Sequence, residues 1–306
     1  MITVFGSINL DIATRVPRLP SPGETVLGGA YQLAPGGKGA NQALAARRAG
    51  ARVRLVGATG MDDFAQPALA LLQEAGVDLS AVRRNAEART GLATIFVDES
   101  GENQIAVAPG ANAAVAAADI PEGFLDRWTL FVTQMELSPR EVVEAIAMAR
   151  KAEARIILNL APVVPITEAA LDAATYLVLN AGEARCLAAS YALSGTTPRQ
   201  LAGAIAERRT GPVVVTAGAE GAYLATSRVA VDHIKAPAVS TVDTTGAGDA
   251  LVGTFAAALD LGMPPNEALR RGVVAGALAC TIVGAQSSLP SSADVDAFIE
   301  QSTVSI

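Results

Sequence analysis

Asp243-Thr244-Thr245-Gly246-Ala247-Gly248-Asp249 sets two carboxylates around a turn of small residues, and the apolar run 250–256 follows at once. That order predicts a tight loop feeding a buried helix. Gly246, Ala247 and Gly248 leave their backbone N–H groups open to close approach by an anion, at the positive end of the helix dipole. Asp249 beside such an anion hole has the chemistry of a general base, taking a proton from a hydroxyl while the amides hold a transferring phosphoryl group. The same residues also describe an ordinary glycine-rich helix start with an aspartate in its first turn. On this segment alone both readings stay open.

Other candidate groups follow predicted strands. Asn9 and Asp11 lie just beyond the run Ile2–Gly6, where an amide and a carboxylate could take the hydroxyls of a polyol or form an Asx turn. Gly36-Gly37-Lys38-Gly39-Ala40-Asn41 opens a helix, either as a flexible loop with a solvated lysine or as bare backbone near a ligand with Lys38 and Asn41 as donors. Glu136 is a surface acid or a ligand contact. Asn180 and Glu183, three residues apart at a helix start, suit a hydrated Mg²⁺ near phosphates or simply the helix dipole. Thr216 to Gly221, with Gly218, is a strand-end loop suited to a nucleotide or to a turn. Each is weak alone; together they gather polar groups at the carboxyl ends of many strands. Gly36-Gly37-Lys38-Gly39 lacks the Ser or Thr of a Walker A loop, and Gly246-Ala247-Gly248 lacks the third glycine of a dinucleotide fingerprint. His233 is the only histidine, which excludes histidine triads and multi-histidine metal sites.

The elements that position these groups can be read from the pattern. Ile2–Gly6, Val53–Gly57, Leu130–Thr133, Ile156–Asn159, Tyr176–Leu179 and Val213–Thr216 are short apolar runs of buried parallel strands. Helices are expected over Asn41–Ala49 and Phe64–Glu74, closed by Gly50 and Gly76. Others follow Ser138 and Thr197, each with proline next and Glu141 or Gln200 completing a capping box. This alternation predicts an α/β fold, a doubly wound, mostly parallel sheet flanked by helices. Two β-rich pieces, roughly 12–35 and 90–108, do not fit it; they are expected to pair into a small sheet covering the site as a lid. The whole chain, 1–306, reads as one domain.

Composition narrows the function. Of 306 residues, 51% are hydrophobic and 17% charged, which describes a globular protein. A net charge of −7 without a basic run argues against nucleic acid as partner. Cys186 and Cys280 stand among small or apolar residues and are expected to be buried free thiols. The apolar stretch Val273–Ala285 is too short for a typical membrane span, and the first residues lack a signal-peptide pattern. A cytoplasmic protein is expected.

These residues together resemble the ribokinase (PfkB-type) family of sugar kinases. The likeness rests on Gly36-Gly37-Lys38-Gly39-Ala40-Asn41-Gln42-Ala43 and on Asp243–Asp249. It extends to Gly6–Asn9 with Asp11, Pro22–Val26, Gly101–Asn103, Gly110–Ala113 and Gly284–Gln286, nearly the whole length. The pattern is nearer the ribokinase branch than adenosine kinase or the phosphofructokinase branch. The resemblance implies ATP-dependent phosphorylation of a ribose-like sugar at its primary hydroxyl, with fructose, deoxyribose, a nucleoside or a non-catalytic binder as alternatives. By that analogy Asp249 is the base and the Gly246–Gly248 amides form the anion hole. Asn9, Asp11, Gly37, Lys38, Asn41 and Glu136 bind the sugar, and Asn180, Glu183, Thr216, Gly218, Gly221 and Gly248 serve the nucleotide, with Mg²⁺ held through water by Glu183. An activating K⁺ falls on Asp243, Thr245, Ala279, Ile282, Gly284 and Ser288, and the lid pairs two copies into a homodimer. The chain departs from the pattern at Ala65, Leu160 and Ala181.

Overall fold

The computed structural model describes residues 1–304. Nine strands form the main sheet: β1 (Ile2–Phe5), β4 (Val53–Gly60), β5 (Val82–Asn85), β8 (Leu130–Gln134), β9 (Arg155–Asn159), β10 (Tyr176–Asn180), β11 (Val213–Thr216), β12 (Ala222–Ala225) and β13 (Val231–Ile234). Their order is β13-β12-β11-β10-β9-β8-β1-β4-β5, parallel from β11 to β5, with β12 and β13 added antiparallel at one edge. Successive strands run one way from β1 to β4 and β5, then the other way from β8 to β11. The order therefore reverses between β1 and β8, the place where open α/β sheets bind ligands.

Side chains alternate across this sheet, so each strand feeds two cores. One core takes Ile2, Val4 and Leu55 and packs under α1 (Lys38–Arg48), α2 (Ala65–Ala75), α7 (Ala247–Asp260) and α8 (Pro265–Ala279). The other takes Phe5, Val56 and Phe131 under α3 (Pro139–Lys151), α4 (Glu168–Ala173), α5 (Ala181–Ser190) and α6 (Pro198–Arg208). A short α9 (Ala285–Ser288) precedes α10 (Ser292–Val304), and Val295 of α10 packs on Val274 and Ala275 of α8. No helix among the described residues is long and apolar enough to cross a membrane.

The two irregular pieces form a second sheet, ordered β3-β2-β6-β7, from β2 (Asn9–Arg15), β3 (Tyr31–Gly36), β6 (Gly91–Val97) and β7 (Asn103–Ala108). β2 runs on from β1 after a three-residue turn, so Asn9 and Asp11 start the small sheet beyond the carboxyl end of β1. Opposed residues share a face. Register therefore puts Asp11, Ala13, Gln32, Ile95, Val97 and Ile105 on the side facing the 241–245 loop, and Ile12, Tyr31, Leu33 and Phe96 on the outer side.

Two local expectations fail. The Ser138–Glu141 capping box is absent: Ser138 makes no side-chain cap, and Glu141 instead accepts the N–H of Ala117 at 2.9 Å. A tertiary donor has replaced the local one. The Thr197–Gln200 box does form. Cys186 is exposed on α5, beside the buried Ala184 and Leu187, and Cys280 is half-buried at the end of α8, where its thiol donates to the Gly276 carbonyl. Apolar neighbours in sequence do not bury a residue that the helix turns outward.

Candidate active site

Gln134, Asn159, Asn180 and Thr216 are the last residues of β8, β9, β10 and β11, so four parallel strands end in polar side chains at one edge of the sheet. The N-termini of α1, α5 and α7 point into the same region. α7 begins at Gly246, whose φ of 78° suits glycine and whose added Cβ would lie 2.9 Å from Ala285 Cα. The helix is buried on all sides, and at Gly253 an added Cβ would meet Gln42 O and Ala45 Cβ at 2.5 Å. α1 and α7 therefore touch backbone to backbone one turn beyond Asp249, which fixes that carboxylate against α1.

Asp249 is 7% exposed. Each oxygen accepts an amide from α1, Oδ2 from Asn41 Nδ2 and Oδ1 from Gln42 Nε2, both at 2.9 Å. The residue lines a cleft of about 710 Å³ together with Gly246, Gly248 and Lys38. A hydrogen-bonded carboxylate, the Gly246 and Gly248 backbone at the start of α7 and a lysine thus share one wall, while the Ala247 N–H donates to the Thr244 carbonyl at 3.2 Å. That set can accept a hydroxyl proton and hold an anionic group. Negative charge on Asp249, with further contributions from Glu136 and Glu183, outweighs burial and holds Lys38 above its usual range, hence protonated.

On the other side of Asp249 lie Asn9, Asp11, Gly37, Asn41 and Glu136. Glu136 Oε2 accepts the Ser7 hydroxyl at 2.5 Å and the Lys38 N–H at 3.0 Å, clamping the start of α1 to the turn after β1. Asn112 holds that turn too, pairing with the Ile8 N–H and carbonyl and donating to Asn9 Oδ1 at 2.7 Å. Asp11 Oδ1 and Asn41 Oδ1 are buried without a hydrogen-bond partner among the described residues. An unpaired buried acceptor costs roughly 1–3 kcal/mol, so both are suited to hydroxyls of a ligand. Burial, then the nearby charges of Glu136 and Asp249, push the Asp11 carboxyl up to about 7. Asp11 also lines a second cavity of about 530 Å³ between the small sheet and the 241–245 and 283–285 segments.

Asn180, Glu183, Thr216 and Gly218 line the first cleft; Gly221 does not, and closes the turn behind it by donating to the Gly218 carbonyl. Asn180 and Glu183 cap α5 reciprocally at 2.8 and 2.7 Å, which engages Glu183 Oε2. Burial raises the Glu183 carboxyl, the Asn180 N–H and Lys38 oppose this, and Asp249 adds to the rise. Arg185 also lines the cleft, although its sequence context carried no signal.

Asp243 ties two loops together. Its Oδ1 accepts the N–H and hydroxyl of Thr245 at 2.9 and 2.7 Å, and its Oδ2 accepts the Gly284 N–H at 2.8 Å. Burial would raise its carboxyl, but these bonds outweigh that and hold it low, hence ionised. The Cys280 carbonyl accepts the Val242 and Asp243 N–H groups, so 242–245 and 279–284 form one patch. One carboxylate, hydroxyls and loop carbonyls make an all-oxygen donor set suited to a hard cation. Among the described residues no group of three or more His, Cys, Asp or Glu could hold a metal.

Five residues at the site carried no assigned role in the sequence: Gln42, Gln134, Asn159, Ser7 and Asn112. Gln42 lies within the glycine–lysine motif beside Asn41, and all five are polar side chains buried between apolar ones. For Gln134 and Asn159 that incongruity was the only sequence signal, whereas Ser7, Gln42 and Asn112 also fall within segments that carry the family resemblance. Of the three departures from the family pattern, Leu160 and Ala65 are fully buried, whereas Ala181 lines the first cleft.

A model of the pfkB family of carbohydrate kinases matches residues 1–292. The ribokinase of Haemophilus influenzae is 33% identical, over 98% of this chain and 98% of its own. Among solved structures, ribokinase from Thermotoga maritima superposes with a TM-score of 0.89 at 32% identity, covering 98% of this chain and 99% of that one. The Arabidopsis thaliana ribokinase complexed with ribose and ATP gives 0.85 at 29% identity, covering 96% of each.

Proposed function

Since the chain belongs to the pfkB family of carbohydrate kinases, we propose that it transfers the γ-phosphoryl group of ATP to the primary hydroxyl of D-ribose, giving ribose 5-phosphate. The carrying observation is Asp249 on the wall of the first cleft, held by two amides at the first turn of α7, with the orphaned acceptors of Asn41, its hydrogen-bond partner, and of Asp11, which feels its charge. In this reading Asn9, Asp11, Gly37, Lys38, Asn41 and Glu136 position the sugar. Asp249 takes the proton of the attacking hydroxyl, and the N–H groups of Gly246, Ala247 and Gly248 hold the charge of the transferring group. Phosphoryl transfer is loose, so a weak base with good positioning suffices.

Asn180, Glu183, Thr216 and Gly218 hold the nucleotide side, with Gly221 shaping its turn. Glu183 is the residue that would hold a hydrated Mg²⁺, whose chemistry when bound is to neutralise phosphate charge. We place K⁺ on Asp243, Thr245, Ala279, Ile282, Gly284 and Ser288, where it would order the anion hole next to it. Residues 1–306 act as one domain, with the small sheet (roughly 12–35 and 90–108) as lid. Its outer face, with Tyr31 66% and Leu33 47% exposed, is the surface for a homodimer. The protein is placed in the cytoplasm, with no nucleic-acid or membrane partner.

A screen of ADP release over pentoses, hexoses and nucleosides, with and without K⁺, tests this reading. Ribose is expected to give the highest kcat/KM. Preference for deoxyribose, fructose or a nucleoside would correct the substrate, and silence with every acceptor would favour a non-catalytic binder. K⁺ is expected to raise turnover about tenfold, equivalent to ~1.4 kcal/mol of transition-state stabilisation. Asp243→Asn is expected to lose that response; an equal response in the variant contradicts the cation assignment.

Asp11 gives a pH-dependent expectation. Hydroxyls donate best to an ionised carboxylate, so the sugar KM is expected to fall as pH rises through about 7. Asp11→Asn should flatten that profile and raise the sugar KM about 10–100-fold, the loss of one charged hydrogen bond. The fold prefers protonated Asp11, because its carboxyl titrates above the ordinary value. Its destabilising effect is therefore absent below about 3.8, grows as pH rises from there, and is complete above about 7. Asp11→Asn should accordingly raise Tm more at pH 8 than at pH 4; an equal change at both contradicts the assignment.

A further inference from the structure

Gln42 is 1% exposed and lines neither cleft, yet it bonds directly to the proposed base. Its Nε2 donates to Asp249 Oδ1 and to Asn159 Oδ1, both at 2.9 Å, and its Oε1 accepts Gln134 Nε2 at 2.7 Å. Asn159 Nδ2 in turn donates to the Val178 carbonyl at 3.2 Å. A chain of amides therefore runs from the end of β8 through α1 to α7, and through Asn159 at the end of β9 to β10. Turning the Gln42 amide over would set its oxygen against two acceptors and its nitrogen against a donor, so the chain fixes its orientation. The close contact between α1 and α7 at Gly253, where an added Cβ would meet the Gln42 carbonyl oxygen at 2.5 Å, is what brings Gln42 within reach of Asp249.

We propose that Gln42 is a positioning residue for Asp249: backed by Gln134 and Asn159, it fixes which carboxylate lone pairs face the acceptor hydroxyl, touching neither substrate. An amide is suited to this. It orients the acceptor and stabilises the anion, yet it lowers basicity less than a cation at the same place would. The inference rests on Asp249 being the base of the proposed phosphoryl transfer. Asn41 makes the matching bond to Oδ2, but Asn41 also has the orphaned oxygen assigned to the sugar, so its loss would mix two effects.

The charged groups facing Asp249 are Lys38 from α1, Asp11 from β2 and Glu183 from α5, with Glu136 acting on Lys38 and Asp11. None is altered in the variants used for the test. Gln42→Met removes all three bonds at similar volume, Gln134→Met frees only the Gln42 oxygen, and Leu44→Val loosens α1 without touching the chain of amides. For each, kcat, both KM values and Tm are measured on the full-length protein.

Gln42→Met is expected to lower kcat about 10–100-fold with both KM values within about twofold. Gln134→Met should lower kcat by less, again with both KM values held, and Leu44→Val should lower Tm with kcat within twofold of the parent. A kcat within twofold of the parent in Gln42→Met, or a loss carried by either KM instead, overturns the proposal; if Gln42→Met does not fold, Gln134→Met decides. A parent that phosphorylates no sugar would refute the kinase reading, and this proposal with it, whereas an active parent with an unaffected Gln42→Met would refute the proposal alone.

Discussion

Asp249→Asn is expected to cut kcat by about 10²–10⁴-fold, the usual contribution of a general base. The substitution keeps size and shape and removes the anion. Because both oxygens of Asp249 accept amide donors, one from Asn41 and one from Gln42, the new NH₂ must face one of them donor to donor. A modest stability loss of about 1–2 kcal/mol should accompany the kinetic one. ATP KM is expected to stay within a few-fold, since the nucleotide residues on β10, α5 and β11 are untouched. Steady-state kinetics with a Tm measurement separates these effects. A kcat near that of the parent would remove Asp249 from the chemistry.

The second large effect belongs to the scaffold. A Cβ on Gly39 would lie 2.4–2.6 Å from Gly6 C, Gly6 Cα and Ser7 N, all backbone that cannot step aside. Gly39→Ala must therefore lift the start of α1 from the turn after β1. That breaks the Gly39 N–H to Ser7 Oγ and Lys38 N–H to Glu136 bonds. Overpacking of ~1–3 kcal/mol and two lost bonds of ~1 kcal/mol each give a loss of ~3 kcal/mol or more. For a chain of this size that lowers Tm by at least about 6 °C. Because Lys38, Asn41 and Gln42 ride on the displaced helix, kcat/KM is expected to fall more than about tenfold even where the variant stays folded. A variant with the parent's Tm and activity would show that α1 is not seated as described.

Much of the architecture was legible because parallel strands buried on both faces leave continuous apolar runs such as Val213-Val214-Val215, and because Gly76 ends α2 as expected, with φ 73°. The edge strands β12 and β13 were not foreseen: Ala222–Ala225 is short, and Val231-Asp232-His233-Ile234 carries charge on an exposed edge. Ser138 and Glu141 show the limit of local pattern, since the acid found a better donor at Ala117, distant in sequence. At the site, Asp249 and Asn41 stood out through their glycine-rich settings. Gln42 did not, because its meaning lies in partners at 134, 159 and 249 that only the folded chain brings within 3 Å. The closeness of α7 to α1 was equally hidden, resting on a single missing side chain at Gly253.

The central claim is that Asp249 directs a phosphoryl group onto the primary hydroxyl of a ribose-like sugar. It is tested most directly by ³¹P NMR of the product formed from ATP and D-ribose. The expected result is sugar-phosphate signal coupled to the two C5 methylene protons in either anomer, formed by the parent and about 10²–10⁴-fold more slowly by Asp249→Asn. Phosphate on the anomeric or a secondary hydroxyl, or ATP hydrolysis without any sugar phosphate, would contradict it.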